Sequence, residues 1–299
     1  MCVKSQSRYS VPVLNHHNGT MLMMVASAFF DESTDETTGA RCYTVAGFLG
    51  PLEECLMLDT AWGDFLKRTG VKYFKTSQCE YGFGEFAQFR DDPKDLSRPF
   101  SKREKDLFTG IKISAVDVIM AHPEMYGVGA VLMLPDYHRL TDEYDRAAKV
   151  LPRPYYLCST FTLMESGQMM NRLNARSGPS ARGYLRPIFD SHEEYSGAMK
   201  LGFDGFCLKN PLSCKYLLSP HYEDEQTYLC LQAADVLAYE SRRTLIGLEY
   251  ENRAENKAMA RLKKKIWRLY KINYDGLRVI ADAQEQPDVI PIAPAIQGV

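Results

Sequence analysis

The sequence predicts one mixed α/β domain with a helical C-terminal part. Two patterns lead to this. Apolar runs of strand length, continuous rather than alternating, fall at residues 21–30, 43–50, 126–134 and 184–190, as expected of strands covered on both faces. Segments with helical periodicity lie between and after them, and neither an internal repeat nor a clear linker divides the chain. The composition agrees: 45% hydrophobic and 25% charged residues over a length of 299 leave ample material for a core.

In chain order, residues 1–20 are polar and unpatterned, and we expect a flexible N-terminal arm. The domain is expected over 21–250, with a basic helix and a C-terminal tail over 251–299 packed on it. MLMMVASAFF and YTVAGFLG, joined by the polar STDETTGAR, predict an antiparallel hairpin. Pro51 opens an amphipathic helix that Gly70 closes. VKYFK follows as a short strand or extended segment, and 78–100 reads as an irregular loop. Ser101 and Glu104 have capping-box spacing ahead of a helix to about residue 122. A strand over 126–134, helices over 137–149 and 155–174, and a flexible turn over 177–183 come next. YLRPIFD (184–190) is a further strand, whose Pro187 favours a sheet edge or irregular pairing. Helices are then expected through SGAMKLGFDGFCLK, through YLCLQAADVLAYESRRTLIGLEY, and through the basic NRAENKAMARLKKKIWRLYKI (252–272).

Several function classes are disfavoured. A net charge of −2 and a pI near 6.3 carry no global signature of a nucleic-acid or membrane binder. No apolar run reaches the roughly 18–20 residues a membrane span needs, and no secretory leader is visible. The eight cysteines form no CxxC pair, so they read as reduced core thiols of a soluble, cytoplasmic protein. DESTD begins like a calcium loop, but Glu36 and Cys42 stand where that loop needs Gly and Glu. His16 and His17, in the polar arm, read as solvated.

The chemistry concentrates in aspartates. Asp31 and Asp190 each end an apolar strand. If those strands are parallel neighbours, both carboxylates emerge at the edge where α/β sheets bind ligands. A turn or helix cap is the competing explanation for either one alone. Asp235 lies at the edge of the apolar stripe of its helix, where a carboxylate needs a partner. Arg242, two turns on, is one choice, and a cation is the other. Three acids from distant segments suit Mg²⁺ or Mn²⁺, hard ions that take oxygen ligands.

FFDES, YTVAGFLG, WGDFLKRTGVKYFKT, IFD and LQAADVLAYESRR, in this order between about residues 22 and 245, resemble the bacterial family termed domain of unknown function 3800. The resemblance implies an RNase H-like α/β fold, a mixed sheet flanked by helices with a helical C-terminal extension. It also implies a metal-dependent nuclease. By position it makes Asp31, Asp190 and Asp235 the metal-binding and catalytic acids, with Glu32 beside the first, Lys75 in the third motif, and one or two Mg²⁺ or Mn²⁺ ions as cofactor. The family commonly shows Phe-His where this chain has Phe74-Lys75; if that histidine serves in proton transfer, Lys75 can bind phosphate as a cation but is a poor base near neutral pH unless its pKa is lowered. Glu165 is a candidate for a further acid in the helix layer.

The expected function is therefore hydrolysis of phosphodiester bonds in DNA or RNA. Arg261, Lys263, Lys264, Lys265 and Arg268, with Lys75, would contact phosphates, Lys271 adding to them, and Trp267 or Tyr270 would stack on bases. The other reading of 252–272 is an amphipathic helix with Ala258, Leu262, Ile266 and Leu269 on the core and a solvated basic face. The alternative function is a non-catalytic nucleic-acid-binding or scaffold protein on the same fold, with a homo-oligomer or protein partner open in either case.

Overall fold

A computed structural model describes residues 25–34, 40–95, 97–144, 147, 151, 153–177, 183–191 and 196–284. The expected N-terminal arm, the expected turn over 177–183 and the end of the tail lie wholly or mostly outside the described residues.

Six strands form one mixed sheet: β1 (Val25–Thr34), β2 (Cys42–Pro51), β3 (Tyr126–Met133), β4 (Tyr184–Asp190), β5 (His221–Glu223) and β6 (Ile266–Ile272), in the order β5-β4-β1-β2-β3-β6. The hairpin β1–β2 is antiparallel, as is β2–β3. β4 pairs parallel with β1, and β6 parallel with β3. Helices flank the sheet, an arrangement consistent with an RNase H-like α/β fold.

The continuous apolar strands are explained by two cores. Phe29, Ala46 and Ile188 face one layer, built by α1 (Leu52–Thr69), α2 (Thr76–Tyr81), α3 (Lys102–Met120) and the long α7 (Leu229–Tyr250). Phe30, Val45, Leu185 and Phe189 face the other, where α4 (Leu134–Glu143), α5 (Pro154–Ser177), α6 (Ser196–Lys209) and α9 (Tyr274–Gln284) lie. Because side chains alternate along a strand, one apolar run supplies both layers. Local signals behave as expected: Gly70 closes α1 with φ 78°, and Ser101 and Glu104 form the capping box of α3. None of the described cysteines forms a disulfide.

Two expectations are corrected. The basic segment is not one helix. Asn256 caps a short α8 (Lys257–Leu262), the chain turns at the lysines, and 266–272 becomes edge strand β6. Ile-Trp-Arg-Leu-Tyr-Lys-Ile is rich in residues that suit a pleated surface, and it satisfies the ladder that β3 would otherwise leave open. Residues 78–100 contain the end of α2 and a 3₁₀ turn at Gly84–Phe89, so that loop is partly regular. Residues 71–75, expected as a short strand or an extended segment, form no strand and bend at Lys72 and Tyr73. At Pro187 the pairing is irregular as expected: β4 meets β5 from Ile188 onward and touches Leu217 through Leu185.

Candidate metal centre

Phe29 and Phe30 of β1 lie opposite Ile188 and Phe189 of β4, and the ladder ends there. Asp31 and Asp190 are the next residues on each strand, so they emerge side by side where the two strands part. Both share the face of Phe29 and Ile188, the one covered by α7. Glu32, one residue on, projects to the opposite face, toward Tyr155. It does not join the aspartates, against its expected place in the site.

Helix α7 supplies Asp235. Its N-terminus is fixed by Asp59 of α1, whose Oδ1 accepts the Leu229 N–H at 2.9 Å. Asp235 Oδ2 accepts both the backbone N–H and the hydroxyl of Thr76, each at 2.6 Å. Arg242, the expected alternative partner, donates from Nε to Ser33 Oγ at 2.9 Å. The Thr76 bonds serve the first turn of α2, where a carboxylate also meets the positive end of the helix.

Lys75 precedes Thr76, and its backbone is pinned on both sides. The Phe74 N–H donates to Gln232 Oε1 at 2.9 Å, an oxygen that also accepts from Trp62 Nε1 at 3.1 Å. The Phe74 ring is fully buried among Trp62, Phe65 and Phe86. This frame aims the lysine into the acids. Its Nζ lies 2.9 Å from Glu225 Oε2, 3.2 Å from Asp31 Oδ2, 3.9 Å from Asp235 Oδ1 and 4.0 Å from Asp190 Oδ2.

Glu225 is the member that sequence reasoning missed. It stands in the turn EDEQT between β5 and α7, closed by the Thr227 and Tyr228 N–H groups donating to the Asp224 carbonyl, and Gln232 Nε2 holds its carbonyl at 2.9 Å. An acidic run before a helix is ordinary turn and cap composition. What brings Glu225 to the site is the pairing of β5 with β4 through Glu223 and Asp190, which the sequence does not display. Asp31, Asp190 and Glu225 present oxygens all within 4.8 Å of one another.

The electrostatics follow from burial. Desolvation pushes the Asp31 carboxyl well above its usual range, opposed by Lys75 and reinforced by Glu32, Asp235 and Asp190. Burial likewise raises Asp190, against Lys75, and lifts Glu225 to about 7. Burial acts against the Lys75 ammonium, but Asp31, Asp235 and Glu225 together outweigh it and hold its pKa well above the ordinary lysine value. Four carboxyl groups face a single ammonium in a largely buried site, so ionising all of them would leave a negative excess.

That excess, supplied by hard oxygen donors from four separate segments, fits a divalent cation such as Mg²⁺ or Mn²⁺. Asp31, Asp190 and Glu225 would hold it. Asp235, expected as a third ligand, lies outside that set of oxygens: its Oδ2 is engaged by Thr76 and its Oδ1 stands 3.9 Å from Lys75 Nζ.

The remaining expected residues lie elsewhere. β2 and β3 separate β6 from β1, so the basic stretch does not border the acidic site. Arg261 pairs with Asp117, Lys263 with Glu255 at 2.8 Å, Arg268 with Glu165 at 3.2 Å and Lys271 with Glu249 at 2.7 Å. Lys265 Nζ donates to the His122 carbonyl, and Lys264 is exposed. Tyr270 is stacked on Phe161 at 4.7 Å and is spent on the core, whereas Trp267 is partly exposed with Arg172 over its ring. Glu165, on α5, belongs to the Arg268 pair and not to the acidic cluster. No protein-family model, curated protein or solved structure matches the chain.

Proposed function

We propose that the protein is a metal-dependent phosphodiester hydrolase acting on DNA or RNA, the activity that the resemblance to the domain of unknown function 3800 family also implies. The observation that carries this reading is the convergence of Asp31, Asp190, Glu225 and Asp235 at the point where parallel strands β1 and β4 separate. A bound Mg²⁺ or Mn²⁺ would supply Lewis-acid stabilisation of phosphate charge and an activated water. Asp31, Asp190 and Glu225 would hold the ion. Thr76 holds Asp235, and Gln232 holds both the Lys75 segment and the Glu225 turn. Lys75, 27% exposed at its side chain, is placed to meet a phosphate oxygen as a cation. Its raised pKa makes it a charge-neutralising group rather than a general base.

A single reporter tests this whichever nucleic acid is the substrate. Wild-type protein should hydrolyse bis(p-nitrophenyl) phosphate in Mn²⁺ and not in EDTA. Asp31→Asn and Asp190→Asn should each lose at least about a hundredfold in rate, the scale on which one electrostatic catalytic group acts. Hydrolysis that survives EDTA, or either substitution, would count against the proposal. DNA, RNA and hybrid oligonucleotides then assign the substrate.

One observation favours the second reading, a non-catalytic nucleic-acid or scaffold protein: the acids already own a cation in Lys75. On that reading Lys75 is a permanent structural counter-ion and the site takes no metal.

A further inference from the structure

Lys75 Nζ occupies the space on which the carboxylates converge. Asp31, Asp190 and Glu225, whose oxygens can surround one ion, lie 3.2, 4.0 and 2.9 Å from that ammonium. A hard divalent ion bonds such oxygens at about 2.1 Å. An ion seated on all three would therefore sit against an ammonium left in place, two like charges in contact within a poorly solvated site. The lysine backbone cannot retreat, because Phe74 N–H is bonded to Gln232 and Thr76 N–H to Asp235. Its side chain can: four flexible methylenes carry the ammonium, and the side chain as a whole is partly exposed.

We infer that Lys75 is a tethered counter-ion that competes with the divalent cation for the Asp31–Asp190–Glu225 cage. Without metal, the ammonium offsets part of the carboxylate charge and so helps the acids share one buried site. For a divalent ion to take the cage, the Lys75 ammonium would swing out toward solvent, where it could meet a phosphate oxygen. Lys75 thus sets the metal affinity of the site and keeps the metal-free state folded. This inference rests on the reading of the cage as a divalent-cation site.

The test is Mn²⁺ titration of the full chain by calorimetry, with free Mn²⁺ followed by electron paramagnetic resonance. Wild type is compared with Lys75→Met and Lys75→Gln, and with each of these combined with Asp190→Asn. Removal of one unit charge at this range should tighten Mn²⁺ binding by at least about tenfold in both single variants. The added Asp190→Asn change should abolish that gain. Mn²⁺ should also raise the melting temperature of the Lys75 variants more than that of wild type. Lys75→Gln, whose amide can still donate to two carboxylates, keeps the test decisive where Lys75→Met does not fold. Equal or weaker Mn²⁺ affinity in the Lys75 variants overturns the competition while leaving the metal site standing. No Mn²⁺ uptake by wild type or any variant overturns the metal reading, and the competition with it.

Discussion

At Thr76, the first residue of α2, a backbone N–H and a hydroxyl both donate to one oxygen of Asp235. This carboxylate therefore has structural work independent of any metal. Asp235→Ala should lower stability in urea by roughly 2–4 kcal/mol, because it strands a buried donor pair and removes the cap of α2. An unchanged midpoint would show that the Thr76 bonds contribute little. Glu225 behaves in the opposite sense. Its carboxyl is raised from 4.5 to about 7 in the fold, so its contribution is full below the unfolded value and is lost as pH rises through the folded one. Glu225→Gln should stabilise the metal-free protein by on the order of 2–3 kcal/mol at pH 8 and by little at pH 4. Melting curves in EDTA at the two pH values check this, and a gain that does not grow with pH would contradict it. Asp31 and Asp190 were legible in the sequence because each interrupts an apolar run; Asp190 does end β4, whereas β1 continues past Asp31 to Thr34 in its ladder with β2, so that Asp31 ends only the pairing with β4. Glu225 was not, because an acid in a polar turn carries no burial signature until β5 docks on β4.

At the scale of elements, α7 organises the site through Gln232 as much as through Asp235. Gln232 is fully buried and joins α1, the Phe74–Thr76 link and the Glu225 turn. Gln232→Leu keeps volume but strands the Trp62 and Phe74 donors. It should cost roughly 2–4 kcal/mol and weaken Mn²⁺ binding by loosening Lys75 and Glu225 together. Denaturation and titration of the same sample separate these effects, and full Mn²⁺ affinity would deny Gln232 its positioning role. Strands β1 to β4 and helices α1, α3, α5 and α7 were readable from apolar periodicity, Pro51, Gly70 and the Ser101–Glu104 pair. Residues 266–272 misled because Ala258, Leu262, Ile266 and Leu269 fit a helical stripe. Ala258 and Leu262 are indeed buried, but the lysine turn and the open edge of β3 draw Ile266 and Leu269 into a strand. Nothing in local periodicity announces an unfilled sheet edge more than 130 residues earlier.

Across the whole molecule, acidic and basic features are separated by the sheet. The acids gather beside β4, and the basic stretch borders β6 at the far edge, with much of its charge balanced by acidic neighbours. Among the described residues no helix is long and apolar enough to cross a membrane. The combined change of Lys263, Lys264 and Lys265 to Glu should leave Mn²⁺ affinity and diester hydrolysis within about twofold of wild type, since charges this distant are largely screened at ordinary salt. Loss of nucleic-acid retention in a gel-shift assay, with no hydrolysis in the wild type, would instead favour the scaffold reading. The central claim is that the acids between β1 and β4 hold a divalent cation, and anomalous diffraction from crystals soaked in Mn²⁺ tests it most directly. The expected result is a manganese peak bonded to Asp31, Asp190 and Glu225, with the Lys75 ammonium displaced. A soaked crystal with Lys75 still among the carboxylates and no manganese there would contradict it.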